Sequence, residues 1–399
     1  MKIRGIIWVV AIVLSACLTG CMQNVDYGKT TMEGPVTDVA FQETISFSDV
    51  ICYEEPEHST YAYDCLSEAQ KIWYQDINTV LAGRSDEPAV LSPEGFEMGL
   101  GEEDIALVFQ SVLLDHPEYF FVEGYDYTIY TSIGEITGIE LKGTYGLSVQ
   151  MCLERKALID EAVVQIVDRL PENADDYEKI KFVYETIIYH TQYSLDASDN
   201  QNIYSVFVGQ ESVCQGYAKA TQYLLNRLGV ECTTVFGSVN TNEGHAWNLV
   251  KADGKYYYLD TTWGDASYLA ERPEQVKWTL PDINYDYLCI TTAQLQKTHT
   301  IDHPFVLPVC DAWENNYYVR EGRLFTSYDE EKLDKVFADT RQNGNLYVTL
   351  KCSEEAVYST MQQELIQNQK IFQYLNESCE TIAYIENEQQ LSLTFWMTN

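Results

Sequence analysis

Three residues in this chain have the types and order that nucleophilic sulfur chemistry needs. Cys214 lies in Val-Cys-Gln-Gly-Tyr-Ala (213–218), His245 in Gly-His-Ala-Trp-Asn (244–248) and Asp260 in Tyr-Leu-Asp-Thr-Thr-Trp (258–263). A cysteine attacks as its thiolate, so it requires a neighbouring base or a positive dipole, and the base requires a partner that holds its ring. Thiol, imidazole and carboxylate supply these three parts.

The elements that must position them can be read locally. Ser212 stands three residues before Gln215, a capping-box pattern, and Tyr217, Thr221, Leu224, Leu225 and Leu228 follow at helical spacing up to Gly229. This predicts a helix over 213–228 with Cys214 at its second position, where unpaired backbone N–H groups and the positive end of the dipole favour a thiolate and can bind an oxyanion. Downstream, Ala246–Ala252 and Lys255–Thr261 read as strands joined by Asp253-Gly254, a pair suited to a two-residue turn with positive φ at both positions. If residue 252 faces 255, Asp260 faces Trp247, and His245 is its diagonal neighbour on the same face. Such neighbours have Cβ atoms roughly 7 Å apart, within reach of a carboxylate that orients an imidazole.

Taken singly, each residue also has an ordinary structural use: a small buried hydrophobe, a hydrogen-bonded strand histidine, an aspartate closing a turn. Together the three motifs resemble the transglutaminase-like superfamily, through Val-Cys-x-Gly-Tyr-Ala at 213–218, His-Ala-Trp at 245–247 and Leu-Asp-x-Thr-Trp at 259–263. The resemblance runs from about Asp175 to Gly264, and thinly through Tyr285-Asp286-Tyr287 to His303-Pro304. It implies a papain-like α+β core in which Cys214 attacks an amide carbonyl, His245 takes and returns the proton, and Asp260 orients His245. It also implies that an aromatic or polar residue ahead of the nucleophile helix helps the oxyanion site, and Tyr193 is the candidate. His190 is read as a histidine placed for a helix dipole, and His116, before Pro117, as a helix end.

At the start of the chain, Lys2 and Arg4 precede an apolar run from Ile6 to Leu14 and then Leu18-Thr19-Gly20-Cys21. This reads as a signal peptide. The small residues before the cysteine resemble a bacterial lipobox, which implies cleavage and lipid modification at Cys21 and a membrane-tethered protein on the extracytoplasmic face. Leu14-Ser15-Ala16-Cys17 fits the same pattern, so Cys17 is the alternative.

Composition limits the partners. Among 399 residues, Lys and Arg number 25 against 61 Asp and Glu, for a net charge of −36, which disfavours nucleic acid. The acidity is dispersed, as on a solvated surface. Hydrophobic residues at 46% and charged residues at 22% are ordinary for globular domains, and the length calls for two or three of them. Eleven cysteines are present. Apart from Cys17, Cys21 and Cys214 they are Cys52, Cys65, Cys152, Cys232, Cys289, Cys310, Cys352 and Cys379, without paired zinc-type spacing. Bridges and buried thiols are equally open, and no metal or cofactor is implied. The thirty tyrosines are read chiefly as strand and core residues.

The expected organisation is a signal peptide (1–20), a polar tether (21–45), an N-terminal α+β domain (46–148), the transglutaminase-like domain (149–308) and a C-terminal α/β domain (311–399). Within the last, Tyr317–Arg320 and Leu324–Ser327 read as short strands. Two functions fit. One is a cysteine protease-like or transglutaminase-like acyl transferase acting on peptide or protein amides through a thioester. The other is a lipid-anchored, non-catalytic binding or scaffold module on the same fold.

Overall fold

The computed structural model describes residues 2–7, 30–32, 60–85, 87–132, 135–239, 242–265, 282–375 and 382–397. Cys17, Cys21 and most of the expected tether lie outside them. Among the described residues no helix is long and apolar enough to cross a membrane. The chain divides into two compact units, residues 1–248 with 301–307, and residues 249–300 with 308–399.

The first unit opens with a sheet in the order β2-β1-β4-β5-β3, formed by β1 (Lys2–Ile7), β2 (Thr30–Met32), β3 (Ala89–Val90), β4 (Val122–Ser132) and β5 (Glu135–Tyr145). Two helices cover it. Helix α1 (Glu68–Gly83) starts at a capping box in which Ser67 accepts from the Gln70 N–H and the Gln70 side chain accepts from the Ser67 N–H. Helix α2 (Glu102–Asp115) carries Glu102, Glu103 and Asp104 in its first turn, the charge its dipole favours. Trp73 and Ile77 of α1 and Val108, Phe109 and Val112 of α2 bury against Tyr125, Ile139 and Leu141 of the sheet.

Two further helices follow, α3 (Val149–Val167) and α4 (Asp176–His190), the latter with Asp175 and Glu178 forming its capping box. Next comes α5 (Cys214–Arg227), which begins at Cys214. Its position is set by buried polar clamps. Gln222 donates to the carbonyl of Leu114 at the end of α2 (2.6 Å) and accepts from the N–H and hydroxyl of Thr234. Asn226 accepts from the N–H of Cys232 (3.0 Å), and the Tyr217 hydroxyl donates to Thr191 O (2.8 Å). Such bonds fix helix register more tightly than apolar contact, because an unmade buried bond costs ~1–3 kcal/mol.

A four-stranded sheet, in the order β10-β9-β8-β11, comprises β8 (Cys232–Val239), β9 (Gly244–Ala252), β10 (Lys255–Leu259) and β11 (His299–Ile301). Asp253 and Gly254 join β9 to β10 with φ of 50° and 75°, the double positive-φ turn expected from that dipeptide.

In the second unit, β12 (Leu324–Phe325), β13 (Tyr347–Cys352), β14 (Tyr384–Asn387) and β15 (Ser392–Trp396) pair in the order β12-β13-β15-β14, with only β12 and β13 parallel. Its core combines Leu333 and Phe337 from a helix over Glu330–Gln342 with Leu350, Met361 and Phe395. Tyr317–Arg320, read above as a strand, is instead a helical turn. The Asn316 carboxamide accepts from the Tyr318 N–H, and Gly322 takes φ of 68° just beyond it, so capping outweighs the β-propensity of Tyr-Tyr-Val.

Asp115, at the end of α2, is buried and accepts from the N–H groups of Ala62 and Tyr63 and from the Tyr74 hydroxyl. Burial nonetheless pushes its carboxyl up to about 6, against these three bonds. A raised folded pKa gives stability that is complete below the unfolded value near 4 and is lost as pH rises through about 6. Asp115→Asn is therefore expected to destabilise less at pH 7 than at pH 4, the gap reaching about 2 kcal/mol, as read by urea unfolding at the two pH values.

Candidate functional site

Cys214 is the first residue of α5, one position earlier in the helix than expected. The predicted capping box does not form. Val213 is the N-cap and no side chain caps the turn, because the Ser212 hydroxyl is held elsewhere, 2.7 Å from Asn200 O and 2.7 Å from Ser205 Oγ. An absent cap forgoes ~1 kcal/mol of helix stability. It also means that no N-cap side-chain oxygen stands in front of the first turn, as an oxyanion site requires.

The thiol is 2% exposed and packs with Ala218, Ala246 and the partly buried Phe236. Ala246 is the residue after His245 on β9, so the strand bearing the imidazole is seated against α5. Asn248, two residues on, donates to the carbonyl of Ala218 at 2.9 Å and locks that seating. His245 is 5% exposed, and its ring stacks on the indole of Trp247 at 5.9 Å and 25°. Gly216 permits the close approach of α5 to the Ser212 cluster, since a Cβ there would lie 1.9 Å from Ser212 Oγ and 3.2 Å from both Asn200 O and Ser205 Oγ.

Tyr193 lies on β6 (Gln192–Tyr193), which pairs in parallel with β7 (Glu211–Ser212), so that Tyr193 stands opposite Ser212. Its backbone thus runs beside the residues that lead into Cys214, and its ring is 6.2 Å from that of Tyr217. His190 closes α4 and faces Phe207 O at 3.2 Å. His116 is buried, bonded to Glu118 at 2.8 Å and stacked on Tyr119.

Asp260 belongs to the second unit and is 1% exposed. It does close a turn: Oδ1 accepts from the N–H groups of Thr262 (2.9 Å) and Trp263 (3.0 Å), capping a short helix over Thr261–Gly264. Its own N–H donates to Tyr287 O at 3.1 Å. Its second oxygen, Oδ2, lies 3.0 Å from Nε2 of His299. Sequence inspection missed His299. No motif spacing links it to a residue 39 positions away, and its only local sign is Thr298, whose hydroxyl is 2.7 Å from the other ring nitrogen.

The cysteines outside this site are of another kind. Cys65, Cys152, Cys232, Cys289, Cys310 and Cys352 are free thiols, all buried except Cys65, while Cys52 and Cys379 lie outside the described residues. Burial pushes Cys310 and Cys352 up to about 12 and carries Cys232 and Cys289 further in the same direction. They remain inert thiols at neutral pH.

Residues 164–261 match the family model of the transglutaminase-like superfamily, and over them the structure mixes helix and strand. The chain is 27% identical over 115 residues to the kyphoscoliosis peptidase of Mus musculus and 28% identical over 125 residues to that of Homo sapiens. These matches cover 25% and 27% of the chain but 17% and 18% of the relatives, so the chain spans less than a fifth of their length. Among solved structures, a TGase aligns at 15% identity over 49% of this chain and 56% of its own, with a TM-score of 0.27. The periplasmic domain of TgpA from Pseudomonas aeruginosa, bound to ethylmercury, aligns at 14% identity over 32% and 56%, with a TM-score of 0.20.

The space beside Gly216 gives a direct test. Gly216→Ala is expected to cost ~1–3 kcal/mol through overpacking. Adding Ser212→Ala, which removes the closest atom, should recover part of that loss in urea unfolding; equal losses in the single and double variants would show that the clash is not the cause.

Proposed function

We propose that this protein is a thiol acyl-transfer enzyme of the extracytoplasmic space acting on peptide or protein amides, with Cys214 as nucleophile, His245 as general base and acid, and Asp260 as the group that orients His245. The observation that carries the reading is the buried thiol on the uncapped first turn of α5, packed against the residue that follows His245. The transglutaminase-like match over 164–261 supports it, and the lipobox-like segment ending at Cys21 supports the location.

The thiolate forms as His245 accepts the thiol proton, and sulfur then adds to the substrate carbonyl carbon. The carbonyl oxygen gathers negative charge in front of the first-turn N–H groups of α5, which are preorganised donors in a site that excludes most water. His245 returns the proton to the departing nitrogen as the C–N bond breaks, leaving a thioester on Cys214 and a free amine. Water then attacks the thioester, giving a carboxylic acid, or an amine attacks it, giving a new amide. Hydrolysis is the favoured outcome, because water needs no second binding site. Tyr193, beside the residues leading into the helix, is the proposed side-chain contributor at the oxyanion.

The test combines acyl trapping and product analysis. The soluble fragment is incubated with a glutamine-containing protein and a fluorescent amine, and peptide cleavage and mass added at Cys214 are followed by mass spectrometry. Wild type is expected to show a thioester adduct with cleaved or amine-labelled product, Cys214→Ala neither, and His245→Ala a fall of about 10³-fold or more. Wild type at the Cys214→Ala background would instead favour a non-catalytic binding module on this fold.

A further inference from the structure

Behind Asp260 lies a buried chain of hydrogen bonds that the triad alone does not need. The His299 side chain has no exposed surface, and Nε2 meets Asp260 Oδ2 at 3.0 Å. On its other edge Nδ1 meets Thr298 Oγ1 at 2.7 Å. Thr298 Oγ1 is also 3.3 Å from Leu295 O and 3.4 Å from the Tyr287 hydroxyl, which in turn lies 3.4 Å from the Gln390 amide. The rings of Trp263 and Tyr287 flank the imidazole, with centroids 4.9 and 5.7 Å away.

One arrangement satisfies these contacts with a neutral ring. The Thr298 hydroxyl has a single hydrogen, and its short contact is to His299 Nδ1 rather than to Leu295 O. With Tyr287 O–H donating to Thr298 Oγ1, Thr298 donates to Nδ1. The one ring proton of neutral His299 is then on Nε2, directed at Asp260. An imidazolium here would cancel the charge of Asp260; the neutral tautomer holds the carboxylate in place and leaves it anionic. Oδ1 is fixed by the Thr262 and Trp263 N–H groups, and His299 holds Oδ2.

We propose that His299 is a positioning residue for the reaction: in its neutral Nε2–H form, set by Thr298, it holds the Asp260 carboxylate in the plane and charge state that Asp260 needs to act on a base. The proposal rests on the reading of Asp260 as the orienting carboxylate. His299 touches neither substrate nor sulfur and acts through Asp260. Conserving the hydrogen bond should therefore matter more than conserving the ring.

The readout is the rate of Cys214 alkylation by iodoacetamide at neutral pH, followed on the Cys214 peptide by mass spectrometry in the full chain, with thermal melting as the folding control. His299→Leu is expected to slow alkylation about tenfold, as Asp260→Asn does, whereas His299→Gln, whose amide nitrogen can replace Nε2 as a neutral donor, stays within about threefold of wild type. Thr298→Val, which frees Nδ1 and with it the tautomer, should slow it about threefold or more. A folded His299→Leu that alkylates like wild type while Asp260→Asn is slow overturns the role of His299 and leaves the triad standing. Unchanged rates in Asp260→Asn and His245→Ala overturn the triad itself. Should His299→Leu fail to fold, Thr298→Val decides: a wild-type rate rejects the relay and a slowed one supports it.

Discussion

A thiol that is to act as a nucleophile in this protein has to work against its own burial. Desolvation is the largest cause acting on Cys232, Cys289, Cys310 and Cys352, and it drives all four away from the thiolate. Cys214 is as buried as these, at 2% exposure. What distinguishes it is location: Asn248 beside Cys232, Arg320 beside Cys289, Thr292 beside Cys310 and Lys351 beside Cys352 favour an anion without offsetting burial, while Cys214 begins a 14-residue helix. The dipole and the uncapped N–H groups of that first turn offer favourable interaction to an anion there. Much of the surrounding architecture exists to hold that turn: the Gln222 and Asn226 clamps, the Asn248 bond from β9, and the Ser212 cluster that fits only because residue 216 is glycine.

The missing cap follows from the same constraint. A serine at the N-cap would stabilise the helix but place its own oxygen where the substrate oxyanion has to go. Instead Val213 takes the cap position, and Ser212 turns away to Asn200 and Ser205. On the proposed mechanism, local stability is given up where the chemistry takes place, a pattern expected at functional sites.

Much of the fold was legible because its signals are local. The Asp253-Gly254 turn and the apolar period of α5 each involve residues a few positions apart, and both elements appear where those signals placed them. Ser212 misled because its pattern is equally local but lost to a bond with Asn200, twelve residues away, which only folding brings close. The Tyr317–Arg320 strand failed for a related reason, as one asparagine cap outweighed side-chain propensity. His299 and the Lys351–Asp286 pair were beyond sequence reasoning altogether. Lys351 and Asp286 are both almost fully buried and meet at 2.9 Å across 65 residues, tying β13 to the segment whose Tyr287 carbonyl accepts from Asp260. Losing one partner of such a pair costs ~3–5 kcal/mol.

The central claim is that Cys214 reacts as a thiolate made by His245 at the start of α5. Ultraviolet absorbance of the thiolate, titrated in the folded protein as wild type minus Cys214→Ser, measures it most directly. The account predicts a thiolate signal already present at neutral pH in wild type and sharply reduced in His245→Ala. A wild-type difference spectrum that stays flat until the alkaline range of the other buried thiols would contradict it.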